Sequence, residues 1–290
     1  MTIVRWCKLC VVLVPVMQAC TVLPIDASHK DVLPVQDTNF MDGLARFPAV
    51  SGPGMIVDHH ALADQVNPPN PPNPPNPPNP PNPPHTTVWQ HRKFPGKQPT
   101  QYSYVWEDGR HAVRASATSS VSMLRYAVHV EPALLQDIVF SWKVNQLIPK
   151  ADLASRDAHD SPVRLVLAFE GDRSEFSVQN ALLSELSLTL TGETMPYATL
   201  MYVWCNSCEK ETLYVNPRTD RIREIVLETG PEHVGQWLAY RRDIQADYLK
   251  AFGQAPGALV GVGLMTDTDN TRQSAVAWYG SISLTTHAIK

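Results

Sequence analysis

The run NPPNPPNPPNPPNPPNPP, Asn67 to Pro84, limits what this chain can fold into. Proline locks φ and has no amide hydrogen, so the repeat can enter neither a helix interior nor an inner strand. It predicts an extended polyproline II spacer, about 3.1 Å per residue and roughly 55 Å in all. A spacer implies an anchor on one side and a working domain on the other.

The chain opens MTIVRWCKLCVVLVPVMQAC. Arg5 and Lys8 precede an apolar run from Leu9 to Val16, and small Ala19 stands directly before Cys20. A spanning helix needs about 20 apolar residues, so this reads as a secretory signal. Val16-Met17-Gln18-Ala19-Cys20 resembles a bacterial lipobox. That resemblance implies cleavage before Cys20, lipidation at Cys20 and membrane attachment through the lipid. Thr21 is not the Asp that implies inner-membrane retention, so an outer-membrane lipoprotein facing the periplasm is expected, with a soluble periplasmic protein as the alternative. Cys7 and Cys10 would leave with the signal, and Cys205 and Cys208 remain as an even pair in an oxidising compartment.

The domain division expected is 1–19 signal, 20–86 lipidated Cys and linker, and 87–290 a folded domain. The linker is poor in aromatics and punctuated by Pro24, Pro34, Pro48 and Pro53, which predicts disorder. Beyond it, tryptophans stand at 89, 106, 142, 204, 237 and 278. The net charge is −4 and becomes −6 once Arg5 and Lys8 are removed with the signal. With no basic run, nucleic acid is not expected as a partner.

Short alternating runs fill this domain. DIVFSWKVNQ sets Ile138, Phe140, Trp142 and Val144 against Val139, Ser141, Lys143 and Asn145. HAVRASATSSVSMLRYAV reads as two strands; SPVRLVLAFEG, ATLMYVWCNS, RIREIVLE, ALVGVGLMTD and SAVAWYGSISLTT follow. Together they predict a mostly β, jelly-roll-like antiparallel β-sandwich. Trp237, Tyr240, Ile244, Tyr248 and Phe252 share one helical face, which predicts an amphipathic helix over about 236–252 with Gly253 ending it. NALLSELSLTL is compatible with helix or strand.

Trp142-Lys143-Val144, His159-Asp160-Ser161-Pro162-Val163-Arg164, Arg241-Arg242-Asp243 with Asp247-Tyr248 and Phe252-Gly253, then Met265 to Thr271, form an ordered series. Over about 87–286 it resembles the bacterial domain-of-unknown-function family 3047. The resemblance implies a secreted β-sandwich and supplies no catalytic activity. The family shows paired acids where this chain has His159-Asp160.

Three stretches carry candidate chemistry. In MTDTDNT, Asp267, Asp269 and Asn270 crowd oxygen atoms together, as a hard cation such as Ca²⁺ requires; a strand-connecting turn needs the same residues. Asp157, His159 and Asp160 followed by Arg164 offer either an Asp160–Arg164 ion pair at a strand end or a polar ligand pocket. Cys205-Asn206-Ser207-Cys208 lies between two apparent strands, which predicts a hairpin closed by a disulfide rather than a redox site. Trp89, Tyr102, Tyr104 and Trp106 alternate at the start of the domain and could pack in the core or stack on sugars.

The reading that joins these features is a membrane-tethered, non-catalytic binding module with a carbohydrate or other envelope polymer as ligand. One alternative is a glycan hydrolase or lyase drawing on Asp160, Asp243, Asp247, Asp267 and Asp269. Another is a structural envelope lipoprotein that binds a second protein.

Overall fold

The computed structural model describes residues 89–286; the signal, Cys20 and the Asn-Pro-Pro run lie outside the described residues. One sheet has seven strands in the order β1 (Gln90–Lys93), β4 (Val121–Val130), β11 (Leu259–Asp267), β6 (Ser161–Phe169), β7 (Ala198–Cys205), β9 (Ile222–Thr229) and β8 (Leu213–Val215). The other has five, in the order β10 (Leu238–Asp243), β5 (Leu135–Val144), β12 (Ser274–Thr286), β3 (Arg110–Thr118) and β2 (Gln101–Glu107). All neighbours are antiparallel except β7 and β9.

The core lies between the sheets and follows from the period-2 pattern. Ile138, Phe140, Trp142 and Val144 of β5 are buried against Val163, Leu165, Leu167 and Phe169 of β6 and Leu200, Tyr202 and Trp204 of β7. Each such side chain contributes about 1.5–3 kcal/mol by burial. Successive strands often belong to different sheets. β3 and β4 are separated only by Ser119 and Ser120, yet the chain changes sheets between them. The connections β1–β2, β5–β6 and β11–β12 also change sheets.

The expected helix over 236–252 is shorter. Residues 238–243 form β10, which pairs with β5 from Leu238↔Trp142 to Asp243↔Asp137. Leu238 and Tyr240 suit a strand as well as a helix, and the exposed edge of β5 takes them. The helix α2 (Ile244–Phe252) starts where the Asp243 carboxylate accepts the Ala246 N–H, and ends at Gly253 with φ +72°. Its Ile244, Tyr248 and Ala251 join the core. The ambiguous stretch is a second helix, α1 (Val178–Thr191). It packs by a polar face: Asn180 and Ser184 are buried, while Val178, Leu182, Leu186 and Leu190 are exposed. Asn180 donates to Asp220 and accepts from the Thr219 hydroxyl.

The expected hairpin around the CxxC is also corrected. β8 pairs with β9, and β7 runs parallel to β9. Parallel neighbours need a crossover, and residues 206–221 supply it, so no hairpin joins β7 to β8.

Gly257 tests how closely the β6 and β11 ends approach. A Cβ there would lie 2.1 Å from the Glu170 carbonyl oxygen, and backbone cannot move aside as a side chain can. Gly257→Ala is expected to destabilise the protein by about 1–3 kcal/mol, read as a fall in denaturation midpoint. An unchanged midpoint would refute this packing.

Candidate functional site

The seven-stranded sheet has a second face, turned away from the core. Its residues include Gly261, Gly263 and Met265 of β11, Arg164, Val166 and Ala168 of β6, and Met201 and Val203 of β7. One end of this face is closed. The β5–β6 connection lies over it, with Leu153 packed among Val166, Met201, Val203 and Val226.

Under that cover Arg164 and Glu224 form a fully buried ion pair. Arg164 also donates to the His159 carbonyl at 2.9 Å, and His159 Nε2 lies 3.3 Å from Glu224. Burial pushes the Glu224 carboxyl upward, but Arg164 and His159 outweigh it and hold it below its ordinary value. Removing two charges from water is costly, and their attraction repays it only with good geometry.

At the adjacent corner the oxygens of Asp160, Asp267 and Asp269 lie within 4.8 Å of one another. Asp160 accepts the Asn270 and Thr271 N–H groups at 3.2 and 2.7 Å and the Thr271 hydroxyl at 2.6 Å. Asp269 pairs with Lys97 of the β1–β2 connection. Thr268 and Ser120 bond to each other across the β3–β4 turn. The cluster therefore joins four connections that pass between the sheets. Burial pushes the Asp267 carboxyl well above the carboxylate range; Arg164 opposes this, and Asp269 and Asp160 add to it. Partial burial raises Asp269, but its hydrogen bond with Asp267 and the Lys97 ammonium bring it below the ordinary value. The Lys97 charge offsets part of the repulsion among the three acids, and the raised Asp267 value reflects the remainder together with burial.

The other end of the face is an open trough of about 890 Å³. Val166, Ala168, Met201, Gly261, Gly263 and Met265 contribute to its floor. Arg92, Lys93, Arg125 and Arg173 line it against Glu170 and Glu193. After Gly192 (φ +77°) ends α1, the segment 192–196 runs beside the trough. Glu193 reaches Arg92 of β1 at 2.5 Å and Arg125 of β4 at 2.8 Å. A Cβ on Gly261 would stand 3.1 Å from Arg125 Nε, so this glycine gives the guanidinium its seat.

Of the residues singled out in the sequence, Asp160, Asp267 and Asp269 come together. Asn270 turns its side-chain amide to the Arg156 carbonyl, and Asp157 stays exposed. The expected Asp160–Arg164 pair is replaced by Arg164–Glu224, because Asp160 is engaged by the β11–β12 turn. Cys205 and Cys208 are joined by a disulfide, Cα atoms 5.7 Å apart. Trp89 is buried, whereas Trp106 is 64% exposed and meets His111 edge-on. Glu224, Lys97 and the trough arginines were missed. Glu224 carries no motif, and among Arg221, Arg223 and Glu228 of RIREIVLE nothing in the sequence sets it apart.

Two outcomes follow from these charges. Arg164→Met is expected to cost about 3–5 kcal/mol by stranding Glu224, while Arg164→Met with Glu224→Met recovers most of it in denaturant melts. No recovery would show that packing, not pairing, holds this end. The protonated Asp267 contributes stability present below the ordinary carboxylate pKa and lost as pH rises through its raised value. Asp267→Asn removes that loss, so its melting midpoint relative to the unaltered chain should rise from pH 4.5 to pH 8. A flat or falling difference would contradict a proton on Asp267.

No curated protein matches this chain. Among solved structures it is similar to the xyloglucanase domain of a type three effector from Sinorhizobium fredii, with 9% identity and a TM-score of 0.38 over 69% of this chain and 93% of that one. Winged bean acidic lectin is similar with 10% identity and a TM-score of 0.32, over 70% and 100%. The glycoside hydrolase domain of Endo-D from Streptococcus pneumoniae has 8% identity and a TM-score of 0.30 over 68% of this chain, which spans only 22% of that one. These are loose likenesses and identify no ligand. The family described as "Protein of unknown function (DUF3047)" matches residues 87–283, well over half of the chain. The chain belongs to that family.

Proposed function

We propose that this protein is a non-catalytic binding module of the bacterial envelope, tethered through Cys20, spaced by the Asn-Pro-Pro run, and holding an envelope glycan in the trough of its seven-stranded sheet. The trough carries this reading. Its volume of about 890 Å³ lies within the range of ligand sites, roughly 300–1,000 Å³. An apolar floor and a charged rim suit a chain of rings with polar substituents. The floor strands β4, β11, β6 and β7 each have a neighbour on both sides, so a ligand there meets side chains rather than a free strand edge. The acids considered for glycoside hydrolysis are engaged elsewhere. Asp243 caps α2, Asp247 is held by Arg242 and Tyr202, and Asp160, Asp267 and Asp269 join the corner.

Calcium at Asp160, Asp267 and Asp269 is the second reading, favoured by their mutual distances. Lys97 and the Arg164 charge already answer these acids, so the reading adopted is a structural clasp. Ca²⁺ or EDTA is then expected to leave the melting midpoint unchanged. A Ca²⁺-dependent rise, lost in Asp267→Asn, would replace the clasp by a metal site.

The trough is tested by melting the full chain against a panel of envelope glycans. A ligand at about 100 times its Kd adds about 2.7 kcal/mol and should raise the midpoint by roughly 5–10 °C. Thr194→Trp, which adds an indole on the exposed segment beside the trough, should abolish that rise while the unliganded midpoint stays within a few degrees. A rise that survives the substitution would put the ligand elsewhere.

A further inference from the structure

Two arginines on paired strands share one carboxylate, and that carboxylate comes from a connecting segment. Arg92 and Arg125 project from β1 and β4, whose pairing runs from Gln90↔Arg125 to Lys93↔Ser122. Their positions are set by the sheet. Glu193 is set only by the short stretch after α1, held by the Ser187 hydroxyl on the Glu193 carbonyl, the Glu193 N–H on the Thr191 hydroxyl and the Arg173 guanidinium on the Met195 carbonyl. Glu193 is itself 45% exposed, as are Arg92 at 36% and Arg125 at 25%, so the clamp is wet and worth little on its own. The trough is also positive, with four Arg and Lys against two Glu on a chain whose net charge is −4.

We propose that the trough recognises an acidic polysaccharide, one of whose carboxylates takes the place of Glu193 between Arg92 and Arg125. This rests on the trough being the ligand site. The exchange is like for like: two charge-assisted contacts to Glu193 are lost and two to the ligand are formed. Arg173 stands along the same trough for a further carboxylate, and the apolar floor receives the C–H faces of the rings. Nucleic acid fits less well, because among the described residues the trough offers Phe94 and His91 but no row of aromatics for base stacking. An acidic peptide would seek a strand edge, and the one that borders the trough, β1, is only four residues long.

The test is titration calorimetry on the full chain with polygalacturonate, its uncharged methyl ester, polyglutamate and single-stranded DNA. Polygalacturonate should bind, with the ester about tenfold or more weaker. Arg92→Gln with Arg125→Gln should weaken the acid about tenfold or more, whereas Glu193→Gln, which removes the competing anion, should tighten it several-fold. Circular dichroism melts confirm that each variant is folded. Ester and acid binding equally, both lost in Thr194→Trp and both indifferent to the arginine changes, would overturn charge recognition while keeping the trough as the site. Binding indifferent to Thr194→Trp would remove the trough itself. Tighter binding of polyglutamate or DNA, equally dependent on the arginines, would overturn the sugar.

Discussion

A guanidinium in an apolar interior must be paired and covered, and Arg164 imposes both demands on the outer face of the seven-stranded sheet. Glu224 supplies the countercharge from β9, and the His159 carbonyl takes a second N–H. Both acceptors are needed because an unpaired buried charge costs several kcal/mol. The β5–β6 connection is held over the pair by Leu153 packing below and by the Asn206 amide, which donates to the Ile148 and Ala151 carbonyls. The following residue, Asp160, then fastens this cover to the β11–β12 turn.

That arrangement divides one sheet face into two regions with different physics. At the covered end, acids are buried, and Glu224 and Asp269 are matched to Arg164 and Lys97. At the open end Gly261, Gly263 and Ala168 carry little or no side chain, Arg125 and Met123 lie over the two glycines, and the charges stand at the rim. Closeness of the acids is therefore poor evidence of chemistry here, since they hold the corner where the chain passes from sheet to sheet. The uncovered end is where a ligand has room.

Much of the sandwich was legible because β5 alternates as burial of one face enforces, and β6, β7 and β11 are short apolar runs, buried on both faces, of strand length. Sheet membership was not legible. Ser119-Ser120 looks like a hairpin turn, yet its strands part into different sheets. Tyr240 satisfied helical and strand spacing at once, and pairing with β5 decided it. Helix α1 resisted reading for the opposite reason: its leucines face outward and its buried side is Asn180 and Ser184, so apolar periodicity pointed to the wrong face. The corner acids were visible as a dense Asp-Asn loop, and their partner Asp160 was already suspected. Lys97 and Glu224 were not, because their roles arise only when distant connections meet. The trough is likewise a property of the sheet: its floor residues are small or apolar and carry no motif.

The most direct test of the trough as the ligand site is radical footprinting of the full chain with and without polygalacturonate. Met123 and Met195 line the trough, while Trp106 on the β2–β3 hairpin lies outside it and is well exposed. Slower oxidation of Met123 and Met195, with Trp106 unchanged, is the expected result. Protection of Trp106 with the two methionines unchanged would place the ligand on the hairpin aromatics and contradict the assignment.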